Sequence, residues 1–554
     1  MRQIKISGQN HFKVLSELRA FHIEYVNGNF QYLHDKLSKV REQFLEIPTY
    51  WYLFALTAKN LRQYNQASTY FETALQLDPD NTNILRDTSI FYREIGLIDL
   101  ALKHAERLIF LRPNTVTGYL NLGLIFLKMH NIDRAEQCFF KARDISPENE
   151  RVINCLAKLH IERTEFQQAI DILKKNLETN DNLESRLNLA LAYRLNNELL
   201  LATSLIDTVS QSQIKSLNPA SQNQFIFNRS LIRLSAGECT KGWIDYKKRF
   251  EAPDFTSAYR KYERERLNYI RDGYKKIVLI WPEQGISDTL MFSCLLREFQ
   301  EESRSKLILL IDLRLKSLFQ RSFPNIEILE DKKDAHQQLN FDYHLPLGDI
   351  APLLSFDLGK KSIAQPYLKP KEDLIAHWKS KLSPQKKLCV GIAWESGIKN
   401  LKRDLNHTSL LDWRRLIENK NLMVINLQYD TDINAMSIAE RTLYQELYHP
   451  NFDLKNDFEN LVALMCNLDC VITPGSSVMS LAAACGIPTY SYCTHVTDRA
   501  LGDINGNDVY SVAWFRRNKV YLFDRYEKEK MVDKIISEVE MKFETNKATL
   551  SSNH

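Results

Sequence analysis

The stretch VITPGSSVMSLAAACGIP, residues 471–488, predicts how the second half of the chain folds. An apolar strand ends in a Pro-Gly turn, Ser476 and Ser477 are residue types that start helices, and Gly486 is typical of a helix end. The pattern therefore predicts strand, tight turn, helix and strand. Such a turn presents backbone N–H groups, two hydroxyls and the positive end of a helix dipole, which suits a phosphate or diphosphate. An ordinary capped helix in an α/β domain is the alternative.

The composition is that of an ordinary globular protein, since 44% of the 554 residues are hydrophobic and 26% are charged. This length predicts several domains, and a formal net charge of +4 does not point to nucleic acid as a partner. The nine Cys form no CxxC pair, which favours reduced thiols in a cytoplasmic protein. No run of 18 apolar residues occurs, so we expect no membrane span.

The first half of the chain is periodic. Two residue types recur every 34 positions, namely Pro79, Pro113 and Pro147, and Ala67, Ala101, Ala135 and Ala169. Small residues are needed where paired helices cross closely, and Pro ends the second helix of a unit. This combination resembles the tetratricopeptide repeat, an α-solenoid built from helix pairs.

The resemblance predicts four repeats in residues 49–213. A degenerate helical capping repeat is expected before them, in 1–48, and a terminal helix pair with a linker after them, in 214–272. Solenoids of this kind usually bind a protein or peptide in their concave groove. The alternatives are that the array only supports the rest of the chain or that it forms a homodimer.

From residue 273 onward, short apolar runs alternate with helical segments in two series. This alternation predicts parallel, doubly wound sheets. We therefore expect two Rossmann-like lobes, 273–368 on the acceptor side and 369–544 on the donor side, and then a disordered tail in 545–554. Because ligands of such sheets bind at the carboxyl ends of the strands, the cleft between the lobes is the expected site.

Several segments of the second half resemble glycosyltransferases that are fused to such repeats. They are GWIDYKKRF at 242–250, WPEQGISDT at 281–289, VGIAW at 390–394, RDLNHTSL at 403–410 and the helix start at 473–480. The heptosyltransferase family carries similar segments. The O-linked N-acetylglucosamine transferases and flagellin-modifying enzymes have a similar layout. The resemblance covers roughly 242–523, and it implies a GT-B fold, a nucleotide-sugar donor and no metal or other cofactor.

Candidate site residues follow from the resemblance and from the needs of sugar transfer. The proposed base of the heptosyltransferases matches Asp288, with Glu283 as the second candidate, while an N-cap for the following helix is the alternative for Asp288. The donor and its diphosphate would be bound by Lys399, Lys402, Arg403, Gln428, Ser476, Ser477 and Val478. A solvated basic turn is the alternative for the three cations.

Three positions depart from the motifs of the family. Gly475 stands where the family has Asp, Ser480 where it has His, and Ser287 where it has Gly. In the heptosyltransferases that Asp contacts the donor sugar, so the identity of the sugar stays open. The sequence predicts a metal-independent, inverting transfer of a sugar to a hydroxyl of a protein. Transfer to a surface glycan or a lipid-linked acceptor, and an inactive binding scaffold, are the alternatives.

Overall fold

The chain forms two compact units, residues 1–181 and 182–554, in a computed structural model. The structure describes residues 8–39, 44–332, 339–355, 365–382, 387–397, 404, 406–494, 509–511, 514–515, 518–523 and 527–551. Within these ranges no helix is long and apolar enough to cross a membrane.

The first unit is built from helices that pair with their neighbours in the chain. They are α1 (Gly8–Val26), α2 (Phe30–Ser38), α3 (Pro48–Asn60), α4 (Tyr64–Leu77), α5 (Thr82–Glu94), α6 (Ile98–Leu111), α7 (Val116–Lys128), α8 (Ile132–Ile145), α9 (Glu150–Glu162) and α10 (Phe166–Thr179). The periodic Ala residues of the sequence are fully buried. A Cβ on Gly123 would lie 2.3 Å from the ring of Phe139, so the crossing of α7 and α8 requires a residue without a side chain there.

The second unit begins with further helices. They are α11 (Leu183–Leu195), α12 (Leu199–Asp207), α13 (Gln211–Ser216), α14 (Pro219–Ser235) and α15 (Cys239–Tyr246). The division between the units therefore falls inside the segment 49–213 that the sequence assigns to one array. Arg229 of α14 donates to both carboxylate oxygens of Asp245 in α15, each at 2.7 Å, which fixes these two helices against each other.

The first sheet contains four parallel strands in the order β3-β2-β1-β4. Its strands are β1 (Ile277–Trp281), β2 (Lys306–Ile311), β3 (Glu327–Glu330) and β4 (Tyr343–Pro346), and its helices are α16 (Ile286–Ser293), α17 (Leu296–Ser303), α18 (Leu313–Ser322) and α19 (Ile350–Leu353). The segment after β1 forms two helices, since α16 ends at Ser293 and α17 begins at Leu296. The strand order reverses between β1 and β4, and this reversal creates a crevice at the carboxyl ends of the strands.

The second sheet has the order β6-β5-β7-β8-β10-β9, in which only β9 is antiparallel among the described strands. Its strands are β5 (Leu388–Ile392), β6 (Leu422–Asn426), β7 (Cys470–Pro474), β8 (Thr489–Cys493), β9 (Val509–Ser511) and β10 (Asn518–Leu522). Its helices are α20 (Glu372–Leu382), α21 (Arg414–Ile417), α22 (Ile438–Glu446), α23 (Phe458–Met465), α24 (Ser477–Ala484) and α25 (Lys528–Ser551). Here the order reverses between β5 and β7, so the predicted ligand position lies beside the turn that follows β7. Both halves of the second unit thus have the parallel α/β architecture that the sequence predicts.

The last described helix extends into the C-terminal segment. Helix α25 continues to Ser551, so it covers residues 545–551 of the tail that the sequence predicts to be disordered, and that disorder stays a prediction. The sequence there contains Lys, Ala, Thr and Leu without Gly or Pro, and a helix that has already formed extends at little cost.

Candidate functional site

The turn from β7 into α24 has an open helix start. Ser476 is the N-cap residue, but its hydroxyl makes no cap hydrogen bond and instead lies 3.1 Å from the hydroxyl of Thr473. The first N–H groups of α24 are therefore not satisfied by the cap side chain. A Cβ on the exposed Gly475 would meet no atom within 4 Å, so the turn borders open space. Ser477 and Val478, the other two predicted phosphate contacts in this turn, are the first two residues of α24.

The turn from β1 into α16 has the same form. Its N-cap residue is Gly285, which makes no cap hydrogen bond and has open space at its Cβ position. Gln284 before it adopts the left-handed region with φ 57°, which is uncommon for a residue with a side chain. Asp288 lies in the first turn of α16 with 6% of its surface exposed, so the N-cap role considered for it belongs to Gly285.

The two helix starts meet. The hydroxyl of Ser287 in α16 lies 2.6 Å from the hydroxyl of Ser480 in α24, which is a short hydrogen bond between residues 193 positions apart. Asp288 follows Ser287 directly, and Ser480 donates its backbone N–H to the carbonyl of Ser476 at 3.2 Å. The structure therefore packs the helix that carries Asp288 against the helix that begins after Ser476.

Glu283, the second base candidate, is part of a buried ion-pair network. Its two carboxylate oxygens accept from Nε and Nη2 of Arg249 at 2.5–3.1 Å. Arg249 also donates to Asp349 at 2.8 Å, and Asp349 accepts from Arg266 at 2.7 Å. Burial raises the pKa of Glu283 to about 7, although the Arg249 guanidinium opposes that rise. A Cβ on Gly348 would lie 2.0 Å from a Glu283 oxygen, so the network also requires a glycine at position 348.

This network lies at the reversal point of the first sheet, because Glu283 follows β1 and Asp349 follows β4. The guanidinium of Arg249 is fully buried there, within 4.5 Å of the ring centroids of Tyr246 and Phe250. The crevice of the first sheet is therefore filled by side chains of the protein itself. Beside the reversal point of the second sheet, the turn before Ser476 borders open space at Gly475.

The side-chain amide of Gln428 forms hydrogen bonds with backbone groups of the protein. Its Oε1 accepts from the N–H groups of Trp394 and Glu395 at 3.0 and 2.9 Å, and its Nε2 donates to the carbonyl of Tyr429 at 3.1 Å. Gln428 is also 5% exposed. Its amide therefore shapes the loop that leaves β5.

Lys399, Lys402 and Arg403 lie outside the described residues. Described residues on both sides of them, Ser396 and Asn406, lie at the carboxyl edge of the second sheet. The backbone N–H of Ser396 donates to Nε2 of His407 at 3.1 Å, and Oδ1 of Asn406 accepts from the N–H of Thr494 at 2.8 Å. Their role as diphosphate contacts stays a prediction. Among the described residues, no group of His, Cys, Asp and Glu that could hold a metal ion is found.

Sequence reasoning missed Arg249 and the contact between Ser287 and Ser480. Arg249 lies inside the GWIDYKKRF segment, and the sequence patterns assign no role to it. The aromatic residues on both sides of it were the available signal, since a guanidinium stacks on rings when it is buried. For the serine contact, the only sequence signal is that both residues depart from the motifs of one family.

The first unit carries an open cavity of about 660 Å³ formed by α4, α5 and α6. Leu75 and Phe110 provide apolar surface, and Arg107 provides charge at its edge. Inside it, Glu72 accepts from the hydroxyl of Tyr92 at 2.7 Å and contacts Nε2 of His104 at 3.2 Å. The hydrogen bond to His104 lowers the pKa of Glu72 below its usual value.

Comparison with known proteins agrees with this architecture. The family described as tetratricopeptide repeat matches residues 48–81, which are α3 and α4 with the turn that follows them. The chain thus contains a tetratricopeptide repeat, together with an α/β part whose two sheets are mainly parallel.

Two known proteins are similar to it at low identity. Protein FlbA of Caulobacter vibrioides is 24% identical over 481 residues, which cover 82% of this chain and 79% of FlbA. The anaphase-promoting complex subunit CDC16 of Saccharomyces cerevisiae is 26% identical over 185 residues, or 32% of this chain and 22% of CDC16. Among solved structures, a tetratricopeptide repeat protein from Parabacteroides merdae is 19% identical, covers 42% of this chain and 91% of its own, and has a TM-score of 0.36.

Proposed function

We propose that the protein is a GT-B glycosyltransferase that moves a sugar from a nucleotide-sugar donor to a hydroxyl of a protein acceptor. The observation that carries the proposal is the meeting of the two helix starts. A buried carboxylate at Asp288 and an uncapped helix N-terminus at Ser476 lie on neighbouring first turns, joined through the Ser287–Ser480 hydrogen bond. Base and diphosphate binder are the two groups that such a transfer needs.

The proposed reaction is a single displacement without a metal. Asp288 takes the proton of the acceptor hydroxyl while its oxygen attacks the anomeric carbon of the sugar. The bond to the nucleoside diphosphate breaks on the opposite face, so the anomeric centre is inverted. The N–H groups of the first turn of α24, with Ser477 and Val478, bind the departing diphosphate through hydrogen bonds and the helix dipole. Glu283 takes no part, because Arg249 occupies both of its oxygens.

The first unit supports the choice of a protein acceptor. Repeat arrays of this type present extended surfaces that bind proteins or peptides. The FlbA similarity extends over 82% of the chain, so it includes residues of both units. In this proposal the repeats select the acceptor, and the α/β part carries out the transfer.

The first test is a panel of UDP-, GDP-, CMP- and ADP-sugars in a thermal-shift assay, followed by hydrolysis or transfer with the sugar that binds. A ligand at 100 times its Kd stabilises the native state by about 2.7 kcal/mol, which a melting curve detects. Asp288→Asn should bind the donor normally and turn over about 100- to 10,000-fold more slowly. Asp457→Asn is the matched control, because Asp457 caps the start of α23. If the control loses as much activity as Asp288→Asn, or if Asp288→Asn stays within a few-fold of wild type, Asp288 is not the base.

The second test removes residues 1–181, the first compact unit. We expect hydrolysis of the donor to persist and transfer to the protein acceptor to be lost. Transfer at an undiminished rate would contradict the recognition role of the repeats. A chain that binds none of the nucleotide sugars would instead favour an inactive scaffold, for which the departures at Gly475 and Ser480 are the motivating observation.

A further inference from the structure

Helices α16 and α24, which come from different sheets, are tied to each other at two places. One tie is Tyr367, a buried residue of the segment that connects the two sheets. Its hydroxyl donates to the carbonyl of Leu290, in the middle of α16, at 2.5 Å, and its backbone N–H donates to the carbonyl of Ala484, the last residue of α24, at 3.0 Å. Leu368 donates to the same carbonyl at 3.2 Å. The connecting segment therefore joins the middle of α16 to the end of α24.

The second tie, about one turn nearer to the start of each helix, is the contact between Ser287 and Ser480, called the serine pair below. Ser480 is 1% exposed and Ser287 is half-buried. The Ser480 hydroxyl also contacts the carbonyl of Ser476, at 3.5 Å, which is too long for a strong hydrogen bond. A buried hydroxyl that loses its partner bears the cost of its desolvation, so the 2.6 Å bond favours the approach of the two helix starts.

We infer that Ser287 and Ser480 are positioning residues that hold Asp288 against the Ser476 turn. This inference rests on the proposed function. Ser287 is adjacent to Asp288 in the chain, and the N–H of Ser480 donates to the carbonyl of Ser476. Ser287 is thus joined to Asp288 by a peptide bond, and Ser480 is joined to Ser476 by a hydrogen bond. Because the Tyr367 tie lies about one helical turn further along each helix, separation of the serine pair lets the first turns move apart while the Tyr367 tie stays in place.

The coupling between the two helix starts can be measured by hydrogen exchange, detected by mass spectrometry on the full-length chain. The informative amides are Thr289, which donates to the carbonyl of Gly285, and Ser480, which donates to the carbonyl of Ser476. They close the first turns of α16 and α24. If the serine pair joins the turns, Ser287→Ala should accelerate exchange in both turns by roughly five- to tenfold, although it alters only α16.

Ser480→Ala should give the same pattern, and the double variant should exchange no faster than either single variant, since both changes remove one bond. The matched control is Ser293→Ala, because Ser293 is a buried serine of α16 whose hydroxyl has no partner among the described residues. It should leave both turns unchanged. Acceleration confined to the substituted helix, or single effects that multiply in the double variant, would overturn the inference.

Kinetics then test the positioning role with the nucleotide sugar that binds best. Ser287→Ala should lower kcat of donor hydrolysis about tenfold and leave KM unchanged, while Ser287→Thr, which keeps the hydroxyl, should restore most of the rate. An unchanged kcat in Ser287→Ala would refute positioning even if exchange shows the coupling. A wild-type chain without hydrolysis refutes the proposed function instead, and the exchange data still decide whether the serine pair joins the helices.

Discussion

Replacing Arg249 by Met should strongly destabilise the second unit. The guanidinium is fully buried and donates to Glu283, Asp349 and the carbonyl of Tyr246. Met keeps the apolar contacts with the surrounding rings but leaves the carboxylate of Glu283, which is 1% exposed, without its cation. Removing one partner of a buried ion pair typically costs about 3–5 kcal/mol.

A second variant separates the effect of the unpaired charge on Glu283 from the effect of the changed side-chain volume at position 249. In Arg249→Met with Glu283→Gln, no unpaired carboxylate remains at position 283, and Asp349 keeps its bond to Arg266. The double variant should therefore be more stable than the single variant by about 1–3 kcal/mol, because a neutral amide costs less to bury than a carboxylate. The loss in Arg249→Met should also shrink as the pH falls, because protonation neutralises Glu283.

The assay is urea unfolding at pH 7.5 and 5.5, followed by tryptophan fluorescence. Arg415→Met is the matched control, because Arg415 is 54% exposed and contacts Glu540 at the surface. It should cost at most about 1 kcal/mol. If Arg249→Met costs no more than this control, or if Glu283→Gln makes it worse, the network does not have the energetic role that its geometry indicates.

Three further outcomes are expected. Burial lowers the pKa of His344 to about 4, and its Nδ1 accepts from Nε1 of Trp281 at 3.2 Å. As the pH falls, the unfolded chain binds a proton at His344 before the folded chain does, so the contribution of neutral His344 to stability is complete above pH 6.5 and falls by up to about 3 kcal/mol as the pH drops to 4. His344→Gln should therefore flatten the pH dependence of the melting temperature relative to wild type. Gly348→Ala should destabilise by about 1–3 kcal/mol, since its Cβ would lie 2.0 Å from a Glu283 oxygen, and Gly285→Ala, with open space at its Cβ, is the control in the same urea assay. Gly475→Asp should fold normally, because nothing lies within 4 Å of the new Cβ, and should change which nucleotide sugar gives the largest thermal shift; an unchanged ranking would place Gly475 outside the donor site.

Local signals predicted the elements that position the candidate site. The turn residues before Ser476 and the small apolar run after it gave the strand, turn and helix that β7 and α24 show. Asp288 was likewise expected after a strand and near a helix start, and it lies in the first turn of α16. Such features depend on neighbours within a few positions, which a sequence displays directly.

Contacts between distant residues could not be predicted in this way. Arg249 pairs with Glu283, 34 positions away, and with Asp349, 100 positions away. Ser287 and Ser480 are 193 positions apart. Only the packing of two sheets places these groups together, and each of them taken alone has an ordinary surface or helix-start interpretation. The sequence therefore identified Glu283 as a candidate site residue but did not indicate that Arg249 forms an ion pair with it.

The way in which the connecting segment bonds to α24 decides where the second unit can be cut into fragments. The side chain of Pro366 lies 2.3 Å from the position of a Cβ on Gly486, which has φ 79° and therefore disfavours any other residue. Tyr367 and Leu368 donate to the last carbonyl of α24. A fragment that starts at Pro370, close to the boundary that the sequence suggests, lacks these groups and exposes the apolar end of α24. A fragment that starts at Pro366 keeps them, so it should be the more soluble partner for reassembly with the preceding part of the chain.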